Sequence, residues 1–279
     1  MQKPSLGLKR PLEYNGSAMA QGRWKETFAV VLDGQGDFSA VVAIRRESEG
    51  RKALPMPRPD IRGDARRAFD VIKGGGIGIL PMDVGYSAIG GSAAALKTIF
   101  DTKQRVPSKL NAMVADCALH RDIHIVDQRG AEIVACLTED YDLPVGAIAP
   151  ARMDHPLLTK LTSEAVNASQ KDGTIVMLLN AGPFHAEITR LSREEVHPLF
   201  GSSANVSMTG AKFRVEDIEP QIKAIADVII DHGLRKYHCY KASSTLLNVM
   251  TLEVVRIGSC HEIICDVLKR HFQIDLLRA

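Results

Sequence analysis

The sequence has few cysteines and no long apolar run, and each shortage excludes a class of protein. Its five cysteines are odd in number, scattered and never spaced as C-x-x-C, so they indicate neither a disulfide framework nor a zinc site. Two adjoin a histidine, in His238-Cys239 and Cys260-His261, which leaves a metal site as the alternative to reduced thiols. Apolar runs such as "TIVMLL" fall far short of the roughly 18 residues that span a bilayer, and no basic-then-apolar leader opens the sequence. We therefore expect a cytoplasmic protein with no membrane partner.

A strong excess of charge is also lacking. The formal net charge is +2 at pH 7, with 24% charged and 45% hydrophobic residues, which is an ordinary globular composition. At 279 residues the chain can form one large domain, or one domain with an appendage, around a full core. The basic surplus lies toward the N-terminal end, where Arg45-Arg46 and Arg66-Arg67 could contact an RNA backbone or lie on a solvated surface.

The composition changes along the chain and suggests three parts. Residues 1–25 are polar and aperiodic, and the β-branched runs "FAVVL" and "SAVVAI" around a Gly-rich link predict a hairpin. Several prolines within 54–62 indicate a linker. We therefore predict an N-terminal extension over 1–60, a flexible tail plus hairpin, then a domain over 61–260 and a helical tail over 261–279.

Within 61–260, helix and strand patterns alternate. A first helix is predicted with Asp64 as N-cap and Gly74 as its end, and "SAAALKTIFDTK" predicts a second with Ser92 as N-cap. Further helices are predicted over Asp127 to Leu137 and over Val215 to Ala226. The runs "IGIL", "NAMVAD", "TIVMLL", "STLLNV" and "LEVVRIG" predict strands, some joined too closely for helical crossovers. This order predicts an α/β domain with a mixed sheet.

Two polar groups stand out where these elements end. Lys103, Arg105 and Lys109 follow the second helix; the helix dipole accounts for one or two of these cations, and a convergent Lys/Arg set also holds a triphosphate or a carboxylate. The stretch "GSSANVSMTG", residues 201–210, places hydroxyls, an amide and glycines in one turn. Such a turn is either a common Ser/Asn turn or a phosphate-binding edge.

A third group lies in "GGGIGILPMDVGY", residues 74–86. Its glycines precede the strand instead of following it, so it is not a dinucleotide fingerprint. Asp83 and Tyr86 come just after a predicted strand end, where ligands bind in open α/β sheets.

The order of these features over roughly 60–258 resembles the YrdC-like family of threonylcarbamoyl-adenylate synthases. The most specific matches are K-x-R at Lys103 and Arg105 and S-x-N at Ser203 and Asn205, followed by "SSTLLNV" and "VVRIG". The resemblance implies a YrdC-like twisted open mixed sheet with helices and a large concave cavity. It also implies ATP, bicarbonate and threonine as substrates, with pyrophosphate released and Mg²⁺ held mainly through the phosphates. The product would serve tRNA modification.

The resemblance also assigns expected roles to residues. Lys103 and Arg105 would be catalytic, holding the triphosphate and the carboxylated amine. Asp83 and Tyr86 would belong to the amino-acid pocket. The residues expected to bind ATP are Lys109, Ser203, Asn205, Ser243, Thr245 and Arg256.

Most departures from the family pattern fall at positions that belong to the part of the pocket where the family binds the amino acid. Met82 and Val84 stand where the family has threonines, Leu178 stands where it has an arginine, and Met208 follows S-A-N-x-S where it has glycine. Loss of polar partners changes substrate choice strongly, so the amine is either threonine or another amino acid or amine. Two alternatives stay open: a noncatalytic RNA- or nucleotide-binding protein, and a carbamoyl-transfer enzyme of small-molecule biosynthesis.

Overall fold

The computed structural model describes residues 26–32, 38–45, 58–105 and 110–276. The chain divides into two compact units, one before Pro59 and a larger one from Pro59 onward. In the first, β1 (Glu26–Leu32) and β2 (Phe38–Arg45) pair antiparallel with a bulge between Val31 and Leu32. The predicted hairpin is therefore confirmed, while its Gly-rich link and the N-terminal tail lie outside the described residues.

The larger unit is built on one mixed sheet. Its strand order is β10-β3-β4-β9-β5-β8-β6-β11-β12, with β7 paired to β8. The pairs β10/β3, β5/β8 and β6/β11 are parallel and the others antiparallel, as the mixed-sheet prediction requires. The strands are β3 (Gly78–Met82), β4 (Gly85–Gly90), β5 (Ala112–Val114), β6 (Val145–Pro150), β7 (Gln170–Lys171), β8 (Thr174–Leu179), β9 (Phe200–Ser203), β10 (Val228–Ile229), β11 (Thr245–Asn248) and β12 (Val254–Arg256).

Helices connect these strands, and several begin at a side-chain cap. Ser92, Asp116, Asp127 and Thr162 each accept a hydrogen bond from the backbone N–H three residues on, which satisfies a donor that the first turn leaves open. The helices are α1 (Ile61–Lys73), α2 (Ala93–Thr102), α3 (Cys117–Ile123), α4 (Gln128–Ala135), α5 (Ser163–Asn167), α6 (Pro183–Glu194), α7 (Pro220–Ala224) and α8 (His261–Phe272), with a π-helical turn at Cys136–Asp140 and 3₁₀ turns at Val215–Asp217 and His238–Tyr240.

Two local predictions are wrong. The N-cap of α1 is Asp60, whose carboxylate accepts from Gly63 N at 3.0 Å, while Asp64 lies inside the first turn. The helix predicted over Val215 to Ala226 is broken into a 3₁₀ turn and α7, because Pro220 starts a new helix and disfavours helical geometry in the residue before it. Both misjudgements concern where a helix begins, and neither changes the order of the elements.

The two faces of the sheet are covered unequally. Alternate strand residues point to opposite faces. One face packs against α2, α3, α4 and α8 in a large core that includes Tyr86, Met177 and Leu247. On the other face, α1 and α6 pack over β3 and its neighbours in a second core that includes Met82 and Val84. Beyond α1 and α6, this second face continues along the sheet as a concave cavity.

Three buried histidines are a further feature of the larger unit. The Nδ1 atoms of His120 and His124 lie 2.8 Å apart, so one neutral ring donates and the other accepts; protonation would set two donors against each other. Burial lowers the pKa of His120 to about 4, and burial together with the charge of His120 lowers the pKa of His124 to about 3. Burial also lowers the pKa of His185, which donates to the Leu178 carbonyl oxygen, to about 4. The folded state therefore resists protonation at all three rings.

We expect the free energy of unfolding to fall as the pH is lowered from about 6.5 toward 4, because unfolded histidines bind protons in that range and these folded ones do not. His185→Gln keeps a donor for the Leu178 carbonyl. It should reduce the pH dependence by up to about 1.4 kcal/mol per pH unit. Urea unfolding followed by circular dichroism at several pH values measures this. His238→Gln, at an exposed position, is the control, and equal slopes for all three proteins would contradict the expectation.

Candidate functional site

A concave cavity of about 820 Å³ lies on the second face of the sheet, in the size range of small-molecule sites. It extends across the sheet from β4 to β12, and on β4, β5, β6, β8 and β11 every second residue lines it. Its centre is apolar, and its two ends are polar. The central residues are Ile89, Ala112, Val114, Ile148, Val176, Leu178 and Leu246.

The polar residues at the two ends come from separate parts of the chain. At the β9 end, the strand leads into the turn "GSSANVSMTG". At the β11 end, the strand pair β11/β12 supplies hydroxyl, amide and guanidinium groups. The lining side chains are Ser202, Ser203, Asn205 and Ser207 at the first end and Ser243, Ser244, Asn248 and Arg256 at the second, with Lys171, Asp172 and Glu253 also in the lining.

Lys103 fixes the turn at the β9 end. The side chain is only 3% exposed, and its ammonium donates to the carbonyl oxygens of Ser203 and Asn205, the latter at 2.5 Å. In return, the Lys103 carbonyl accepts from Ser207 N at 3.0 Å. Lys103 is also the C-cap residue of α2, so the end of this helix is tied directly to the turn. The lysine therefore determines where the backbone of the turn lies.

The guanidinium group of Arg105 lies in the cavity lining, and not all of its N–H groups are used in hydrogen bonds. Its Nη2 donates to the Leu110 carbonyl at 2.6 Å, whereas its Nε and Nη1 are buried and have no hydrogen-bond partner among the residues that the structure describes. Burial, and next the positive charge of Arg256, lower the pKa of Arg105 to about 10. Buried N–H groups are normally paired, so these two donors indicate a site for an acceptor.

Arg256 adds a second cation to the same cavity. Its Nη2 donates to the Ser244 carbonyl at 2.6 Å, which holds the side chain against β11. Burial lowers its pKa, although the side chain keeps contact with solvent through the cavity. Two neighbouring cations repel each other until an anion lies beside them, so the pair favours binding of a phosphate or carboxylate.

The turn itself presents one hydroxyl without a partner and one unusual backbone angle. Ser202 Oγ is buried in the lining and makes no hydrogen bond to the part of the chain that the structure describes. Thr209 Oγ1 donates to Glu219 at 2.6 Å, which ties the far side of the turn to the residue before α7. Met208 has φ 71°, in the left-handed region that favours glycine, which gives a physical reason for the family's glycine here.

The two residues predicted for the amino-acid pocket, Asp83 and Tyr86, lie outside the lining of the large cavity. Tyr86 faces the large core, and its hydroxyl donates to the Gly233 carbonyl at 2.8 Å and lies 3.0 Å from Asp231, away from the cavity. Alternation along β4 places Ser87 in the lining instead. Asp83 pairs with Arg235 at 2.9 Å in a separate cavity of about 300 Å³, and burial raises its pKa.

Other predicted residues divide between the cavity and the core. Lys103, Arg105, Ser203, Asn205, Ser243 and Arg256 line the cavity together. Thr245 does not, because alternation along β11 turns it into the core, where its Oγ1 donates to the Ser259 carbonyl at 3.1 Å and accepts from Gly258 N. Lys109 lies outside the described residues. Met82 and Val84 are buried beneath α1 and α6, so of the family's altered positions Leu178 is the one that changes the central lining.

Two predicted alternatives concern metal ions and RNA. None of the five cysteines forms a disulfide bond, and among the residues described no group of three His, Cys, Asp or Glu side chains could hold a metal ion. Arg66 pairs with Glu195 at 2.5 Å, and Arg67 pairs with Asp64 at 2.9 Å, which neutralises that arginine pair locally.

In the part of the chain that the structure describes, no helix is long and apolar enough to cross a membrane.

Lys103 and Arg105 should differ in what they contribute to stability. Lys103→Met should lower the free energy of unfolding by about 1.5–3 kcal/mol, because hydrogen bonds from a charged donor are lost and buried carbonyl oxygens stay unpaired. Arg105→Met should lower it less, because it removes two donors that already lack partners. Urea unfolding of both variants measures the difference. Equal losses would show that Lys103 does not hold the turn.

Substitutions at Met208 and Gly210, two positions of the same turn, should change stability in opposite directions. Both have positive φ, 71° and 82°, and a Cβ at Gly210 would meet nothing within 4 Å. Gly210→Ala should therefore cost about 1 kcal/mol through backbone strain alone, whereas Met208→Gly should be neutral or stabilising by up to about 1 kcal/mol. Thermal unfolding tests both. Destabilisation by Met208→Gly comparable with that by Gly210→Ala would refute the role given to φ.

Comparisons with known proteins agree with this fold. The family model of the Sua5, YciO and YrdC proteins, described as "Telomere recombination", matches residues 70–258, while a search of curated proteins finds no match. The hypothetical protein smu.1377c from Streptococcus mutans has a TM-score of 0.60 and 18% identity, covering 75% of this chain and 92% of that one. Two structures of P. abyssi Sua5, a variant and a complex with L-threonine, give TM-scores of 0.58 and 0.53 at 17% and 18% identity. They cover 77% and 66% of this chain but 61% and 50% of theirs. At such identities the solved structures show the fold alone, and since the family model matches well over half of the sequence, the chain belongs to the Sua5/YciO/YrdC family.

Proposed function

We propose that the protein forms a carbamoyl-adenylate from ATP, bicarbonate and an amine and releases pyrophosphate. The observation that carries the proposal is the arginine pair: Arg105 has two buried, unpartnered donors and lies close enough to Arg256 for the two charges to interact. A polyanionic substrate relieves that repulsion and accepts from those donors. The neighbouring Ser/Asn turn offers hydroxyl and amide groups suited to a nucleotide.

The reaction balances without an oxidant or reductant. The amine nitrogen bonds to the carbon of bicarbonate, and water leaves, giving a carbamate. A carbamate oxygen then bonds to the α-phosphorus of ATP, and the bond to the β-phosphate oxygen breaks, so pyrophosphate leaves with its electron pair. Such chemistry needs positioning and neutralisation of phosphate charge more than a strong base.

Each lining residue takes a role that matches its contacts. Arg105 and Arg256 bind the phosphates and the carbamate carboxylate. Lys103 acts mainly by holding the turn, because its ammonium already donates to the Ser203 and Asn205 carbonyls. Ser203, Asn205 and Ser243 contact the nucleotide. ATP brings Mg²⁺ coordinated by its own phosphate oxygens.

The comparisons support an amino acid as one class of amine. The Sua5 structure from P. abyssi contains L-threonine, and that protein shares this fold. The proposal therefore retains an amino acid or related amine as the second substrate. A product of this kind is an activated carbamoyl group, suited to transfer onto a nucleophile such as an amino group of RNA.

Pyrophosphate release tests the proposal directly. With ATP, bicarbonate and a panel of amino acids, the protein should release pyrophosphate only when bicarbonate and a suitable amine are both present. Arg105→Ala should lower turnover at least about a hundredfold, the usual effect of removing a group that stabilises developing charge. A coupled enzymatic assay for pyrophosphate measures both.

Arg214→Ala is the matched control, because Arg214 is an exposed arginine outside the cavity lining and should leave turnover unchanged. Isothermal titration with ATP adds an independent measurement. Failure of ATP to bind, together with no pyrophosphate from any amine, would refute the proposal. ATP binding without pyrophosphate release would favour the noncatalytic nucleotide-binding alternative.

A further inference from the structure

Ser87 and Ser203 form a pair of hydroxyl groups on two neighbouring strands of the cavity. Ser87 on β4 is directly opposite Ser203 on β9, and both residues line the cavity. Directly opposed residues of an antiparallel pair share one face of the sheet, with their Cβ atoms about 4.5–5.5 Å apart. The two hydroxyl groups therefore lie close enough to contact one ligand group together.

The fold itself uses neither hydroxyl group. Ser87 is only 8% exposed, yet its Oγ and that of Ser203 make no hydrogen bond to the part of the chain that the structure describes. The residue opposite Ser87 on its other neighbour, β3, is Leu80, which is fully buried and has no polar side-chain atom. Polar groups at nearly buried positions normally have a hydrogen-bond partner. The cavity is therefore the place where the Ser87 hydroxyl group can find one.

A positive charge is held on the strand next to this pair of serines. β5 is the other neighbour of β9, and Ala112 on β5 is opposite Gly201 on β9. Two residues away along each strand, Leu110 and Ser203 both line the cavity. The Leu110 carbonyl oxygen accepts from Arg105 Nη2 at 2.6 Å. The guanidinium group of Arg105 is therefore fixed beside the strand that adjoins Ser203.

The carboxylates of the cavity lie on other strands. Among the described residues of the lining, the acidic ones are Asp172, just before β8, and Glu253, just before β12. In the order of the sheet, β8 and β12 lie three or more positions from β4. The groups gathered at β4 and β9 are thus hydroxyl and guanidinium donors, and such donors suit the oxygens of a phosphate group.

We propose that Ser87 is a further ligand-binding residue of this cavity and that its hydroxyl group, together with Ser203 and Arg105, binds a phosphate group of the nucleotide. The inference rests on the proposed function in taking a nucleotide as the ligand, but it does not depend on turnover. The serine hydroxyl groups donate to phosphate oxygens, and the guanidinium group adds the opposite charge. Ser87 thus extends the nucleotide site from the turn after β9 onto β4.

Ser87→Ala separates binding from stability. Because the hydroxyl group has no partner among the described residues of the fold, its removal should leave the midpoint of urea unfolding unchanged. Loss of a hydrogen bond to a charged group should weaken the binding of ATP and of inorganic tripolyphosphate by about tenfold or more. Isothermal titration of the full chain with each ligand and Mg²⁺ measures both affinities. Tripolyphosphate carries the phosphate chain without a nucleoside, so it isolates the contact with phosphate.

Ser169→Ala is the matched control. Ser169 is 2% exposed, and its Oγ is also buried without a hydrogen-bond partner among the residues described, but it lies outside the cavity lining. The same substitution there should change neither the unfolding midpoint nor the affinity for either ligand.

Each other outcome also decides the question. If Ser87→Ala leaves both affinities unchanged, or weakens the binding of ATP alone, the hydroxyl group does not contact phosphate and the inference is wrong. A lower unfolding midpoint for Ser87→Ala would make the hydroxyl group a structural one, and failure of either ligand to bind the wild-type protein would remove the phosphate contact. Both results overturn the inference.

The proposed reaction can fail separately. If both ligands bind through Ser87 and no amine yields pyrophosphate, the proposed reaction is wrong and the inference stands. If pyrophosphate is released with a suitable amine and Ser87→Ala changes neither affinity, the reaction stands and the inference is wrong.

Discussion

The site depends on one buried ammonium group. Lys103 ends α2 and donates to two carbonyl oxygens of the turn after β9. The end of this helix therefore fixes the position of a turn that lines the cavity. A buried lysine is costly unless its donors are paired, and backbone carbonyls supply acceptors without adding a negative charge. The charge of Lys103 is thus used to hold backbone, and the site keeps its positive potential. Arg105, two residues later, then enters the cavity at a position that this anchor determines.

Unequal covering of the sheet creates the space in which these groups act. The helices α2, α3, α4 and α8 share the large core, whereas α1 and α6 cover only the β3 region of the opposite face. Because strand residues alternate between faces, every residue of the uncovered part belongs either to the core or to the cavity. This alternation allots Tyr86 and Thr245 to the core and their neighbours Ser87 and Ser244 to the cavity. A difference of one position along a strand therefore decides whether a side chain lies in the cavity or in the core.

The same alternation explains how far sequence reasoning could go. The K-x-R and S-x-N spacings predicted residues that do meet in the cavity, because each spacing is local and each follows a recognisable element. Sequence could not orient Tyr86, since β4 is buried along its whole length and shows no polar alternation. Its neighbour Ser87, the polar residue of that strand, was the available signal. The exact cap of α1 was missed for another reason: Asp60 and Asp64 are equally good caps in isolation, and only the backbone angles of the folded chain distinguish them.

Within the K-x-R motif, Lys103 contributes to the stability of the fold, and Arg105 is available to bind an anion. The hydrogen bonds of Lys103 contribute to folding, whereas Arg105 keeps two buried donors unpaired and Arg256 repels it, which destabilises the folded protein. A site arranged this way gains free energy when an anion binds, because binding supplies the acceptors and the opposite charge together. The apolar residues at the centre of the cavity strengthen the effect, because surroundings of low polarity screen the field of the two arginines less than water does. The uneven distribution of polarity in this cavity thus favours an anionic group joined to an apolar one.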